Sequence, residues 1–190
     1  MPTPAKTTNE DIVHAARALI EDEGSDFSVA ALATRVGIRA PSLYKRFDNR
    51  AAILAAVECQ VITELGQVIA RALNRKSDAP FAAAAKAYRK FAKANPRAYT
   101  LLFAADINTG ESADSNIDEI QQARTAALAP LLEQLEKMKS VEDPLSAARF
   151  VTTLLHGFIT MELAGAFHMG GSVDAAFEDA VERMERGLGV

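Results

Sequence analysis

Between Ser28 and Arg50 the chain carries five cations, Arg35, Arg39, Lys45, Arg46 and Arg50, against one acid, Asp48. That stretch is +4 in a chain whose total is −4, so the remaining residues sum to −8. A basic patch on an otherwise acidic chain is the electrostatic form of a phosphate-binding surface. At roughly 100° per residue, Leu43 and Phe47 turn to one side of a short helix, while Pro41, Ser42, Tyr44 and Lys45 turn to the other. Arg39 can donate a bidentate pair to guanine, and Lys45 can reach guanine or phosphate. The Tyr44 hydroxyl suits a phosphate. Ser28 and Arg50 stand at helix starts, where free backbone N–H groups favour phosphate as well. Ala40 has no hydrogen-bonding group, so no base preference can be read at that position. Arg46 flanks the inner face and reads better as the partner of an acid. Arg35 is open between contact and plain surface, and the whole patch has the alternative of being the solvated face of a helical pair.

Other reactive constellations are sparse. His14 lies one turn from Asp11, the spacing of half a di-metal site, but no second Asp/Glu-x-x-His supplies the other half. His156 and His168 are not spaced as ligands, and all three histidines read as structural. There is no Gly-rich phosphate loop, Gly-x-Ser-x-Gly elbow or cysteine pair, since Cys59 stands alone. No catalytic residue, metal or cofactor is predicted, and the chain is not read as an enzyme. Glu162 and His156 interrupt an apolar helix. Buried alone they would cost several kcal/mol, so they satisfy each other or the backbone, or they orient a ligand.

The elements that must position these residues are helices. Nearly half of the 190 residues are apolar, β-branched runs bounded by turns are absent, and an all-α fold of about nine helices is expected. Thr8 caps a first helix, about Asn9 to Glu23, that Gly24 ends. Ser28 caps the second, with Phe27 and Leu32 as a hydrophobic staple. Gly37 closes it and Pro41 opens the third, completing a helix-turn-helix. Asp48 or Asn49 starts a fourth helix that reaches about Arg75. The fifth runs from Pro80 to about Ala94 and the sixth follows Asn95-Pro96. An exposed loop is expected over 105–115, then a helix from about Asn116 to Lys139 with a kink or break at Pro130. The eighth runs from Asp143-Pro144 to about His168, and Ser172 caps the ninth. Residues 1–50 form the reader of DNA and 51–190 the second domain. No 18-residue apolar run is free of charge, so no membrane span is expected. The first residues carry no apolar signal segment, so a cytoplasmic place is expected.

The second domain is rich in aromatics. Tyr88, Phe91, Tyr99, Phe103, Phe150 and Phe158, with Leu128, Leu154 and Glu162, are its candidate ligand-binding residues, and an apolar core is the alternative use of the same stripe. The eighth helix is apolar on nearly every side and too little chain remains to cover it. A second copy is therefore expected across Leu155, Ile159, Leu163 and Phe167, with Phe177 and Val181 of the ninth helix, as a four-helix bundle.

The segment Thr8-x-x-x-Ile12, Ala15-Ala16, Leu19, Gly24, Val29, Leu32-Ala33, Val36-Gly37-Ile38, Ser42-Leu43-Tyr44, Phe47, Arg50 and Ile53-Leu54 resembles the DNA-binding domain of the tetracycline-repressor (TetR) family. The resemblance implies a homodimer that binds a pseudo-palindromic operator and leaves it when a small molecule enters the C-terminal domain. It puts the groove-facing positions on Arg39, Ala40, Pro41, Ser42, Tyr44 and Lys45. Leu155-His156-Gly157-Phe158 with Met161-Glu162-Leu163 resembles a subgroup marked by a Trp-His-Gly triplet, with Leu155 in place of Trp. The expected function is a ligand-responsive regulator, a repressor released by a small apolar effector. A helical small-molecule binder or enzyme that does not act on DNA, and a module that only assembles with other proteins, are the alternatives.

Overall fold

The structure is a computed structural model and describes residues 7–103 and 113–190. Those residues form nine α-helices and no strand. They pack as two compact units, Met1–Ile62 with Arg97–Ala123, and Thr63–Pro96 with Arg124–Val190.

The first unit holds α1 (Asn9–Glu23), α2 (Val29–Arg35), α3 (Ala40–Tyr44) and the start of α4 (Arg50–Leu73). Local chemistry sets each boundary. Thr8 Oγ1 accepts from the Asp11 N–H at 3.1 Å, and the Asp11 carboxylate accepts from the Thr8 N–H at 2.7 Å, a reciprocal box. Asp11 is thus a helix cap rather than half a metal site. Ser28 Oγ accepts from the Ala31 N–H at 3.0 Å. Gly37, at φ +70°, closes α2 as a Schellman turn, with Ile38 N–H donating to Ala33 O and Gly37 N–H to Thr34 O. Asn49 Oδ1 accepts from the Ala52 N–H at 2.9 Å and starts α4. Ile12, Ile20, Leu32, Leu43, Ile53 and Val57 are fully buried and make the core of this unit.

Most of α6 (Pro96–Leu101) belongs to the same unit. Its first N–H groups are taken by Glu21 at the end of α1, with Ala98 N–H donating at 2.8 Å and Arg97 N–H at 3.2 Å. The Arg97 guanidinium donates to Glu21 O at 2.8 Å. Asn95 donates its Nδ2 back to Phe91 O.

The second unit holds α5 (Pro80–Ala94), most of α7 (Ala113–Glu136), α8 (Pro144–Leu163) and α9 (Val173–Leu188). Ala79 gives α5 no side-chain cap; Glu185 of α9 accepts from the Ala82 N–H at 2.9 Å instead. Ser172 and Asp143 cap α9 and α8.

Three expectations are corrected. Of the kink or break expected at Pro130, no break occurs, because α7 continues through it; one missing N–H is not enough to end this helix. Close by, Gly66 of α4 approaches Ala127 so tightly that a Cβ on Gly66 would lie 2.7 Å from Ala127 Cα. α8 stops at Leu163, short of His168, because Gly165 at φ +64° turns the chain and Ala166 N–H closes back on Met161 O. Of the expected loop over 105–115, residues up to 112 lie outside those described, and α7 already begins at Ala113. By length and composition α4 is long and apolar enough to cross a membrane, although half of its most apolar window is buried within the protein. It works here as a core helix, contributing Ile53, Val57 and Val61 to the first unit and Leu65 and Leu73 to the second.

Candidate nucleic-acid interface

The third helix, α3, is anchored by one residue. Leu43 is fully buried, while Arg39, Pro41, Ser42, Tyr44 and Lys45 are exposed and Ala40 is half-buried. Arg39 sits at the N-cap and Lys45 at the C-cap, so the two cations bracket the helix. Neither side chain makes a hydrogen bond or ion pair among the described residues. The other cations of the patch are engaged. Arg35 bonds Asp22 at 3.0 Å. Arg46 donates to Asn9 Oδ1 at 3.3 Å. Arg50 donates from Nε to Phe27 O at 3.2 Å, lies 3.6 Å from Asp26 and stacks over the Phe27 ring at 5.5 Å. Arg50 therefore ties the start of α4 to the turn before α2, while exposed Ser28 spends its hydroxyl on its own helix. What α3 offers a polyanion is the pair Arg39 and Lys45, with the hydroxyls of Ser42 and Tyr44 between them.

In the second unit the candidate residues separate by exposure. Tyr88 is buried, Phe91, Leu128, Leu154 and Phe158 are half-buried, and Phe150 is exposed. Tyr99 and Phe103 belong to the first unit, where their rings meet at 5.9 Å. Of the residues expected at a dimer face, Leu155, Ile159, Phe177 and Val181 are buried inside the chain's own core. Leu163 is half-buried and Phe167 exposed. The apolar side chains that α8 turns to solvent include Phe150 and Met161.

Glu162 and His156 do not satisfy each other. Arg89 donates to both oxygens of Glu162, from Nε at 2.7 Å and from Nη2 at 2.6 Å, and Lys93 adds a third bond at 2.7 Å. Both members of the Arg89–Glu162 pair are largely buried. The hydrogen bonds from Arg89, and next those from Lys93, hold the Glu162 carboxyl below its ordinary range although burial opposes them. Arg89 also meets Asp174 at 2.6 Å and lies over the Phe177 ring at 4.7 Å. His156 has the Thr160 hydroxyl 3.4 Å away, and burial pushes its pKa down. A charge inside an apolar helix announced that Glu162 needs a partner, but nothing local named Arg89. His14 lies beside Gln60, at 3.0 Å, and Glu10, at 3.6 Å.

Two family profiles match this chain. One, described as bacterial regulatory proteins of the tetR family, covers residues 12–57. The other, described as the C-terminal domain of tetracyclin repressor-like proteins, covers residues 81–184, more than half of the chain. This chain belongs to the TetR family. Its first matched segment spans α1 to the beginning of α4, including the α3 surface, and its second spans α5 to α9. This TetR-family chain is 30% identical over 188 residues to Rv0681 of Mycobacterium tuberculosis, described as an uncharacterized HTH-type transcriptional regulator, covering 97% of this chain and 83% of that one. Its fold is similar to that of a Rhodococcus sp. RHA1 protein of unknown function, with a TM-score of 0.81, 23% identity and 98% of each chain covered. It is also similar to the transcriptional regulator FadR from Bacillus subtilis in complex with stearoyl-CoA, with a TM-score of 0.70, 16% identity and 93% and 97% of the two chains covered. The chain is a TetR-family transcriptional regulator of the helix-turn-helix type.

Proposed function

We propose that this regulator binds a pseudo-palindromic operator as a homodimer and, as a repressor, leaves it when a small apolar molecule occupies the C-terminal domain. One observation carries the DNA reading: Arg39 and Lys45 are free and exposed on a helix whose other side is anchored by buried Leu43. Free cations can exchange counterions for phosphates, whereas paired ones must first lose a partner. A DNA partner puts the protein's work in the cytoplasm.

The dimer reading is supported by an apolar stripe on α8. Phe150, Gly157 and Met161 fall on one side of the helix at spacings of seven and four, and Phe150 and Met161 are exposed. The effector reading is supported by the half-buried apolar side chains Phe91, Leu128, Leu154 and Phe158 of the second unit, and by a similarly folded regulator whose structure is in complex with stearoyl-CoA. Membership of the Trp-His-Gly subgroup is supported by His156-Gly157-Phe158 with Met161-Glu162-Leu163, Leu155 standing in place of Trp.

Selection of genomic fragments on the purified protein tests this reading. We expect recovery of a palindromic motif whose binding weakens steeply with salt. Recovery of nothing above background by a folded, dimeric protein would reduce the helix-turn-helix to scaffold.

A further inference from the structure

We propose that the cleft between α5 and α9 binds a phosphate monoester dianion, at a place separate from the apolar effector residues. α5 carries Lys86, Arg89, Lys90 and Lys93 at spacings of three, four and seven, one face of a helix. Together with Phe177 they line a cleft of about 270 Å³. Glu162 clamps Arg89 and Lys93 of this lining, and its carboxylate is largely buried and held by three bonds. The two other carboxylates at the cleft come from α9 and are of a different kind. Asp174 reaches Arg89 and Glu178 reaches Lys86, yet their side chains are 80% and 61% exposed. Lys90 has no carboxylate partner among the described residues.

Asp174 and Glu178 therefore occupy, with little burial to hold them, the positions an incoming anion would take. Displacing both removes two negative charges, and a phosphate monoester brings back ≈ −1.5 to −2 at neutral pH. Its three terminal oxygens can meet Arg89, Lys86 and Lys90 together, with Arg89 already oriented by Glu162. A monocarboxylate replaces only one of the two. The buried Glu162 repels an anion that goes deeper, so the phosphate sits at the outer rim and its organic part points to solvent or along α9.

Calorimetric titration of the full chain with phenyl phosphate, without DNA, tests the site independently of operator binding. We expect saturable binding that matched ionic strength of sodium chloride does not reproduce, and benzoate at least ~10-fold weaker. The exposed pair Lys86→Gln with Lys90→Gln should weaken phenyl phosphate by ~10-fold, and Asp174→Asn with Glu178→Gln should tighten it by a similar factor. Melting temperatures of the unliganded variants check that each is folded. No saturable binding, benzoate equal to phenyl phosphate, or unchanged affinity in either folded double variant would overturn the proposal.

Discussion

The carboxylate of Glu21 accepts a 2.8 Å hydrogen bond from the backbone N–H of Ala98, joining the end of α1 to the first turn of α6 across 77 residues of sequence. With the Arg97 N–H on its other oxygen, Glu21 serves as a helix cap supplied from another helix. Glu21→Ala leaves those two N–H groups without their carboxylate partner. We expect a loss of about 1 kcal/mol in stability and faster amide exchange at Arg97 and Ala98. Glu21→Gln should recover part of both. Unchanged exchange at these amides would show that the cap contributes nothing.

On the reader, Arg39 and Lys45 are expected to separate by kind of contact. Lys45→Ala should weaken operator and random DNA alike and reduce the salt slope by ~1, and Arg39→Ala should cost about 1–3 kcal/mol on the operator and relax its sequence preference. Arg50→Ala should instead lower the melting temperature, since its guanidinium is spent on Phe27 and Asp26. Binding isotherms over a salt series, beside thermal melts, distinguish the three.

Acid should destabilise the fold in two stages. Burial holds His156 below its ordinary 6.5, so the unfolded chain takes up that proton first. Stability contributed by neutral His156 is lost as pH falls below about 6.5. Glu162 is held below its ordinary 4.5 by Arg89 and Lys93. Its contribution is complete above about pH 4.5 and is lost as pH falls through the lower folded value. At neutral pH Glu162→Gln should cost about 3 kcal/mol, because it leaves the largely buried Arg89 with only the exposed Asp174 as counter-charge. Denaturant unfolding across pH should show the gap between wild type and Glu162→Gln closing in acid.

Gly66→Ala should destabilise by about 1–3 kcal/mol, because the new methyl group meets backbone as well as side chain at Ala127. Chemical denaturation gives the value directly. Ala127→Gly in the same chain removes part of the clash and should restore some of the loss.

Phe150→Glu combined with Met161→Glu places two charges on the exposed stripe of α8. Sedimentation should show a monomer that is still folded, with DNA affinity lost at concentrations where the wild type binds. A variant that remains dimeric would move the interface away from α8.

The residues that begin and end most helices could be read from the chain alone. Thr8, Ser28, Asn49 and Ser172 cap helices within three residues of themselves, and Gly37 turns left-handed where the apolar periodicity stops. These are local events, so local sequence carries them. The outward face of α3 was equally legible, because Leu43 is the large aliphatic side chain of this five-residue helix and must turn inward. α8 was not. A helix apolar on nearly every side has no periodic contrast, so Leu155 and Ile159 could not be told from Phe150 and Met161 until their neighbours were in place.

The remaining features depend on partners far apart in the chain. Of the three described helices that open with proline, α5 and α6 receive a cap from a distant glutamate, Glu185 and Glu21, while α8 is capped by the adjacent Asp143. Glu162 finds Arg89 across 73 residues. The sequence determined which groups must be satisfied, since an N–H at a helix start or a carboxylate in an apolar helix costs free energy wherever it lies. Only the tertiary structure decided which residue satisfies them, because hydrogen-bond partners are chosen by distance in space, and the spacing of residues along a helical chain does not encode how its helices pack.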